Sequence, residues 1–362
     1  MRQLLPTRAD DRWFVYWPLV IISLVLAHNL LPGSYGDYVL DVATLGSIFA
    51  IGAIGLNVQF GFTGLLNFGH VMSMMIGAYT MAILILDMSW NPAIAMVCGG
   101  LVAAGAGLIV GLFSLRLRTD YLAIVTIAIA EMVRLIIKNS GNQRIDPETG
   151  LSVKVGTGGV FGLQNYSGGI NDWLETVLPF LDSQAWRQFT LNALFITVAL
   201  FLTWTLKRSP WGRVQRAIKE DQEIVSALGK PTLWLKLQSF ALGSFIGAFS
   251  GIAFALQTNF IESELWLPIV TFRLWIAMML GGAGSIFGPV AGALALQALF
   301  SVVRFLPRIQ KSVGIIPEQL VSSNRIFALQ GMLLGLLIML VVRFRPQGMF
   351  GKREELALER IQ

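Results

Sequence analysis

The chain is predicted to be an all-α polytopic membrane protein with about ten transmembrane helices, and three observations predict it. First, 55% of its 362 residues are hydrophobic and only 13% are charged, where an ordinary soluble domain carries about 25% charge. Second, apolar stretches of roughly 20 residues, enough to cross the hydrocarbon core as a helix, recur from one end of the chain to the other. Third, the short segment 207–236 is densely basic and holds Lys207, Arg208, Arg213, Arg216, Lys219, Lys230 and Lys236. Basic loops stay on the cytoplasmic side, and a long, charged, helix-prone loop between spans is costly unless something docks on it.

Taken in order, the chain starts with Arg2, Arg8 and Arg12 and then an apolar run to Leu31. No small-x-small cleavage site follows, so the run reads as an uncleaved first span, 14–31. Spans at 40–60, 67–86, 92–115 and 121–137 come next. Segment 138–189 is rich in Gly, Asn, Asp and Ser and too polar to span. Its glycine-rich stretch 155–162 reads as a turn region, and the segment is either an exposed linker or a rim that meets a partner. Spans at 190–206, 237–257, 266–281, 286–306 and 326–342 complete the count, 266–281 being short. The whole of 1–362 is one transmembrane domain. Ten spans put both termini on one side, and the basic residues choose which: 17 Lys and Arg fall on that side and 8 on the other. Both termini, loop 207–236 and tail 343–362 are therefore expected in the cytoplasm.

Other classes are excluded. A net charge of +6 would suggest nucleic acid in a soluble chain, but here the charge borders apolar spans, so the partner is the lipid bilayer. The one cysteine, Cys98, rules out an intrachain disulfide and most metal sites and reads as packing. No Ser/His/Asp grouping, HExxH, CxxC or GxxxxGK[ST] occurs. The chain is not expected to be an enzyme or to bind a cofactor or metal, and any ATPase must be another chain.

Glycines repeat every four residues at Gly243, Gly247 and Gly251 and at Gly284, Gly288 and Gly292, with pairs at Gly107/Gly111 and Gly331/Gly335. On a helix each set lies on one face and lets a neighbour approach closely, either as generic packing or as a narrow bundle lining a path. Glu131 and Arg134 share a face of an apolar helix, where an unpaired charge would be costly; they read as an ion pair near the outer boundary or as a substrate contact. Arg273 either snorkels or faces a polar cavity. Asn57, Gln59, Thr63, Asn67 and His70 cluster where Gly61 and Gly64 break two spans. Broken helices expose backbone groups to polar ligands; the alternative is a tight hydrogen-bonded connection. Within the basic loop, segment 213–228 alternates apolar and charged positions as an amphipathic helix does, lying on the membrane surface or against a partner.

Five segments, in order, resemble the LivM-type permease of branched-chain amino acid ABC importers: GLNVQFGFTGLLNFGH at 55–70 followed by GAYT at 77–80; LRLRTDYLAIVT at 115–126 with EMVR at 131–134; RSPWGR at 208–213 with RAIKED at 216–221 and ALG at 227–229; GGAGSIFGP at 281–289; and RPQGMF at 345–350. The resemblance implies one of two unlike permease subunits in the bacterial inner membrane, with segment 138–189 periplasmic. Its partners would be a second homologous (LivH-like) permease, two cytoplasmic ATPases that hold the ATP and Mg, and a periplasmic amino-acid-binding protein. It also implies a coupling loop that docks on the ATPase. Glu223 and Gly229 match the family spacing, with Ile224 and Val225 in place of two alanines, and Arg213, Arg216, Glu220 and Asp221 lie upstream. The implied cargo is branched-chain or neutral amino acids, with urea or a short amide as the alternative. An autonomous channel or ion-coupled carrier would instead want buried carboxylates and no docking loop; Glu131 is the one clear intramembrane acid.

Overall fold

A computed structural model describes residues 12–31, 34–115, 117, 119–140, 142–145, 152–155, 162–164, 166–179, 181, 183–313, 323–344 and 347–350. The expectations that rest on Arg2 and Arg8, on Arg116 and Arg118, on most of the glycine-rich stretch 155–162 and on most of tail 343–362 lie outside the described residues.

Ten long helices overlie the ten expected spans: α1 Trp13–Leu30, α2 Ser34–Thr63, α3 Val71–Leu86, α4 Pro92–Ser114, α5 Thr119–Asn139, α7 Gln184–Arg208, α10 Thr232–Thr258, α11 Pro268–Gly281, α12 Gly288–Val313 and α13 Ser323–Phe344. Between α5 and α7 lies the short helix α6, Ser167–Val177, and between α7 and α10 lie α8, Pro210–Glu220, and α9, Gln222–Ala227. Five described helices (α1, α2, α4, α7 and α10) are long and apolar enough to cross a membrane, and α3, α11 and the first part of α12 are apolar but shorter. The chain is an all-α polytopic membrane protein.

The short ones are short for a reason. The expected span 67–86 becomes a helix only at Val71, because 64–70 turns back into the bundle as non-helical chain. The expected span 266–281 likewise starts at Pro268, after a 3-10 turn at Ser263–Trp266. The polar segment 138–189 is not wholly irregular. Its strand β1 (Asn142–Ile145) pairs antiparallel with β2 (Ser152–Val155), and β3 (Leu163–Gln164) pairs with β4 (Phe260–Ile261) after α10.

The core is the antiparallel crossing of α2 and α10. Serines of α10 donate to carbonyls of α2, Ser239 Oγ to Val58 O at 2.8 Å and Ser250 Oγ to Ile48 O at 2.7 Å. The rest of the bundle repeats in inverse order. Helices α3 and α4 pack on α10 as α11 and α12 pack on α2; α5 meets α3 and α4 as α13 meets α11 and α12. This pairing of two oppositely directed sets, each with one shortened helix beside a break, is the pattern of inverted-topology membrane repeats.

Candidate functional site: a glycine crossing beneath two short helices

The end of α2 and the loop before α12 meet at two glycines. A Cβ on Gly61 would lie 2.6 Å from the backbone nitrogen of Gly284, so only glycine permits the approach. Gly284 has φ +81° and Gly282 φ +110°, backbone that side chains resist. The Asn57 carboxamide holds the loop at both of its hydrogen-bonding ends: its Nδ2 donates to Ser285 O at 2.8 Å and its Oδ1 accepts from Gly284 N at 2.7 Å. Gly284 is therefore not on the α12 face with Gly288 and Gly292. The expected triplet is a pair, because the helix begins only at Gly288, whose N–H is received by Ser285 Oγ.

The polar residues around the α2–α3 break satisfy one another. Asn67 donates to Gln59 Oε1 at 2.9 Å, and Gln59 donates to Phe240 O at 2.9 Å. Thr63 Oγ1 lies 2.7 Å from Ser239 Oγ and 3.2 Å from Gln215 Oε1 of α8. The re-entrant chain is gripped from outside by Thr126 of α5, Thr271 of α11 and Trp275 of α11, which bond Phe68 N, Val71 N and Asn67 O. Asn57, Gln59, Thr63, Asn67 and His70 are all buried. Asn57, Gln59, Thr63 and Asn67 form the tight hydrogen-bonded connection, one of the two arrangements open to such a cluster, while the His70 ring is packed beside it and bonds none of them.

The α10 glycine stripe faces this connection. Gly243 lies against Gln59 and the Gly55 carbonyl, Gly247 against the His70 imidazole and Gly251 against the Met74 carbonyl. Gly107 and Gly111 of α4 meet Ser244 and Leu237 on another side of α10. Gly331 and Gly335 differ: nothing described lies within 4 Å of a Cβ at either. Spacing marks a smooth face but cannot say whether a neighbour occupies it.

The basic loop folds as two helices, not one. Asp221 is extended at φ −154° and caps α9 through Oδ1, which accepts from Glu223 N at 2.8 Å and Ile224 N at 3.0 Å. The expected helix 213–228 breaks there because an aspartate side chain that caps a new helix competes with continuing the old one. Helix α8 starts on a Ser209 cap and Pro210 and buries Gln215 and Ile218 against the bundle. Helix α9 ends on Gly229 at φ +75°, with Lys230 N bonded to Val225 O and Gly229 N to Ser226 O, the Schellman closure. Arg213, Glu220, Asp221 and Glu223 are exposed and Arg216 is partly buried. Between them Ile224 and Leu228 stand 59% and 74% exposed, an apolar tip on a polar support.

At the opposite end, Glu131 and Arg134 form a two-point ion pair of 2.9 and 2.6 Å. Arg134 also reaches Glu264 at 3.2 Å, and Lys138 meets the same Glu264 oxygen at 2.6 Å. The network ties the far end of α5 to the 3-10 turn that precedes α11. Arg273 sits half-buried on α11 with its guanidinium 5.8 Å from the centre of the Phe300 ring.

Two site residues escaped sequence reasoning. Lys207 and Lys219 read as ordinary members of a basic loop, yet Lys207 Nζ donates to Gly284 O at 2.6 Å and Lys219 Nζ to Gly61 O at 3.2 Å. Gln215, Ser239 and Glu264 had no motif to mark them.

Residues 38–342 match the family described as branched-chain amino acid transport system, permease component. The chain is 30% identical to the high-affinity branched-chain amino acid transport system permease protein LivM of Salmonella typhimurium, over 94% of this chain and 76% of that one. It is 28% identical to LivM of Escherichia coli K12, with the same coverage of each. LivH of Salmonella typhimurium is 27% identical over 70% of this chain and 80% of its own length. No solved structure gives a significant match.

Proposed function

Since the chain belongs to the family of branched-chain amino acid transport permease components, we propose that it is the transmembrane permease subunit of an ATP-driven, binding-protein-dependent importer of branched-chain or neutral amino acids. The relatives reported above are named for branched-chain amino acids, not for urea or amides. The observation that carries the reading is the pair α8–α9: two capped helices, built onto the inner ends of α2 and α10, that present Glu223, Ile224 and Leu228 outward. A partner ATPase, which holds ATP and Mg, docks there. The second permease resembles LivH, since this chain is similar to proteins of both names, and a periplasmic binding protein delivers cargo at the other end.

The bacterial inner membrane is the proposed location, with both termini cytoplasmic. Support comes from what gathers at one end of the bundle. The start of α1, through Tyr16, meets Phe287 and Phe350; the 347–350 turn bonds the last carbonyls of α11; and α8–α9 lie beside Gly61 and Gly284. These carry the basic side of the sequence. Asn57, Thr63 and Asn67 act in this reading as a hydrogen-bonded hinge between α2 and α3, with His70 packed on Gly247 beside it, and Glu131 with Arg134 as a brace of the outer end. Arg273, half-buried beside Phe300, either snorkels or faces a polar cavity in this reading.

The test is purification in mild detergent with identification of what co-purifies, then uptake of leucine and of urea into liposomes. ATP-dependent leucine uptake that requires a binding protein is expected. Uptake without any ATPase chain would replace this reading with an autonomous carrier.

A further inference from the structure

We propose that Lys207 and Lys219 are the transmission residues that convert movement of the docking helices into movement of the Gly61–Gly284 crossing. The inference rests on the reading of α8–α9 as the ATPase docking site and adds how the force leaves it.

Lys207 is in the last turn of α7 and Lys219 in the last turn of α8, so the two bracket α8. Each sends its ammonium inward to one of the two crossing glycines, to Gly284 O at 2.6 Å and to Gly61 O at 3.2 Å. Those carbonyls need partners. Gly61 is in the last turn of α2, where carbonyls have no helical partner; its neighbours Phe60 O and Gln59 O are taken by Gly64 N and Leu65 N, and Gly61 O is taken by Lys219. A cation at a helix C-terminus is also favoured by the helix dipole. Gly284 is held through both of its backbone groups, its N–H by Asn57 Oδ1 and its C=O by Lys207.

The connection is stiffest at Lys207; Lys219 is exposed and is held by its bond to Gly61 O and the packing of its stem. Lys207 is 7% exposed, and a buried ammonium that loses its acceptor keeps the full desolvation cost. Its Nζ also lies 5.9 Å from the Phe62 ring centre, and that of Lys219 5.8 Å from Phe60, so both lysines follow the last turn of α2. The stem of Lys219 packs 3.3 Å from the position of a Cβ on Gly64. Displacing α8 therefore drags the end of α2 through Lys219, and the α11–α12 loop follows through Asn57 on α2 and Lys207 at the α7–α8 junction. At the crossing itself neither glycine has a side chain to absorb the movement, and the Asn57 amide bridges the two strands of backbone. Gln215 and Thr63 add a third tie, of 3.2 Å, between the same two elements.

The experiment uses the assembled importer in liposomes, with Lys207→Met, Lys219→Met, Lys207→Gln and Lys219→Gln variants. Co-purification of the ATPase, basal ATPase rate, stimulation by loaded binding protein, and uptake kcat and KM are read together. If the wild-type chain itself recruits no ATPase, the docking reading fails before any lysine is tested. With docking intact, each Met variant should keep its ATPase partner and its basal rate, lose about tenfold or more in stimulation and in uptake kcat, and leave uptake KM unchanged. Stimulation and uptake within about twofold of wild type in both Met variants would overturn the proposal. Should the Met chains fail to assemble, the Gln variants, which keep a neutral donor, decide: several-fold loss of stimulation supports it, and wild-type coupling overturns it.

Discussion

His70 seats its imidazole directly on Gly247. A Cβ at Gly247 would lie 2.5 Å from His70 Nε2 and 2.8 Å from Cε1, so the first carbon of any side chain is already too close. The general expectation for a small-residue stripe is that alanine is tolerated and leucine is not. Here Gly247→Ala should itself lower stability by about 1–3 kcal/mol, the usual cost of overpacking a filled core. Thermal unfolding in detergent reads the loss, and His70→Ala in the same chain should restore part of it. An unchanged midpoint for Gly247→Ala would mean that α3 and α10 separate freely.

Asn57 uses both ends of its amide on one loop. Asn57→Asp keeps the acceptor for Gly284 N but turns the donor to Ser285 O into a second oxygen. Leaving that buried carbonyl unsatisfied costs about 1–3 kcal/mol, and more if the new carboxylate stays charged. Asn57→Asp should therefore destabilise the detergent-solubilised chain at least as much as Asn57→Ala. A milder effect for Asp would show that the loop does not depend on the amide.

Gly229 is limited by backbone and not by space. Its φ is +75° and nothing described lies within 4 Å of a Cβ there. A non-glycine residue in the left-handed region costs roughly 1–2 kcal/mol, with asparagine the best tolerated. Gly229→Ala should leave the chain folded and inserted but reduce ATPase stimulation and uptake, with Gly229→Asn intermediate and Gly229→Asp lower. Reversal of charge at exposed Glu223 should act in the same assay. Full coupling in all of them would point to α8–α9 as a membrane-surface element.

Ser226 on α9 and Val177 at the end of α6 are both exposed, at opposite ends of the bundle. In a Cys98→Ser background, Val177→Cys should react with an impermeant thiol reagent in intact cells and Ser226→Cys only after lysis. Reaction of both in intact cells would reject the proposed orientation.

Glu264 is held below the ordinary carboxylate value of 4.5, first by its hydrogen bond from Lys138 and then by the nearby Arg134 charge. A lowered folded value means that its contribution is fully present above pH 4.5 and is lost as pH falls through the lower folded value. Trp266, in the same turn and buried, is the local probe. Acidification below that range should shift its fluorescence; Glu264→Gln should show the shifted signal at neutral pH and no further acid step. An acid step that persists in Glu264→Gln would assign it elsewhere.

The helices were readable because each depends on local sequence. Pro92 after Asn91 starts α4, with Asn91 Oδ1 accepting from Ala93 N at 2.9 Å, and the run from Trp13 to Leu30 carries no Asp, Glu, Lys or Arg. The helical character of the basic loop was readable for the same reason, and the two positions singled out by the family resemblance, Glu223 and Gly229, fall in the first turn of α9 and just past its end. Its division at Asp221 was missed, since apolar periodicity passes over a capping side chain. Gly284 was misplaced by its four-residue spacing, which is helical only if the helix has already begun.

The sequence by itself determined that this is a bundle of about ten long helices, where their ends fall within several residues, and that a basic, partly helical loop separates two of them. Apolar length, caps and charge are properties of neighbouring residues, so one chain segment suffices to read them. Only the tertiary structure decided that His70 rests on Gly247, that Gly331 and Gly335 face no described neighbour, and that Lys207 and Lys219 turn inward. The acceptors of those lysines lie 77 and 158 positions away along the chain. Whether an ammonium is solvated or buried depends on which carbonyl the fold brings within reach of its four-carbon stem, and no pattern in the surrounding residues records that.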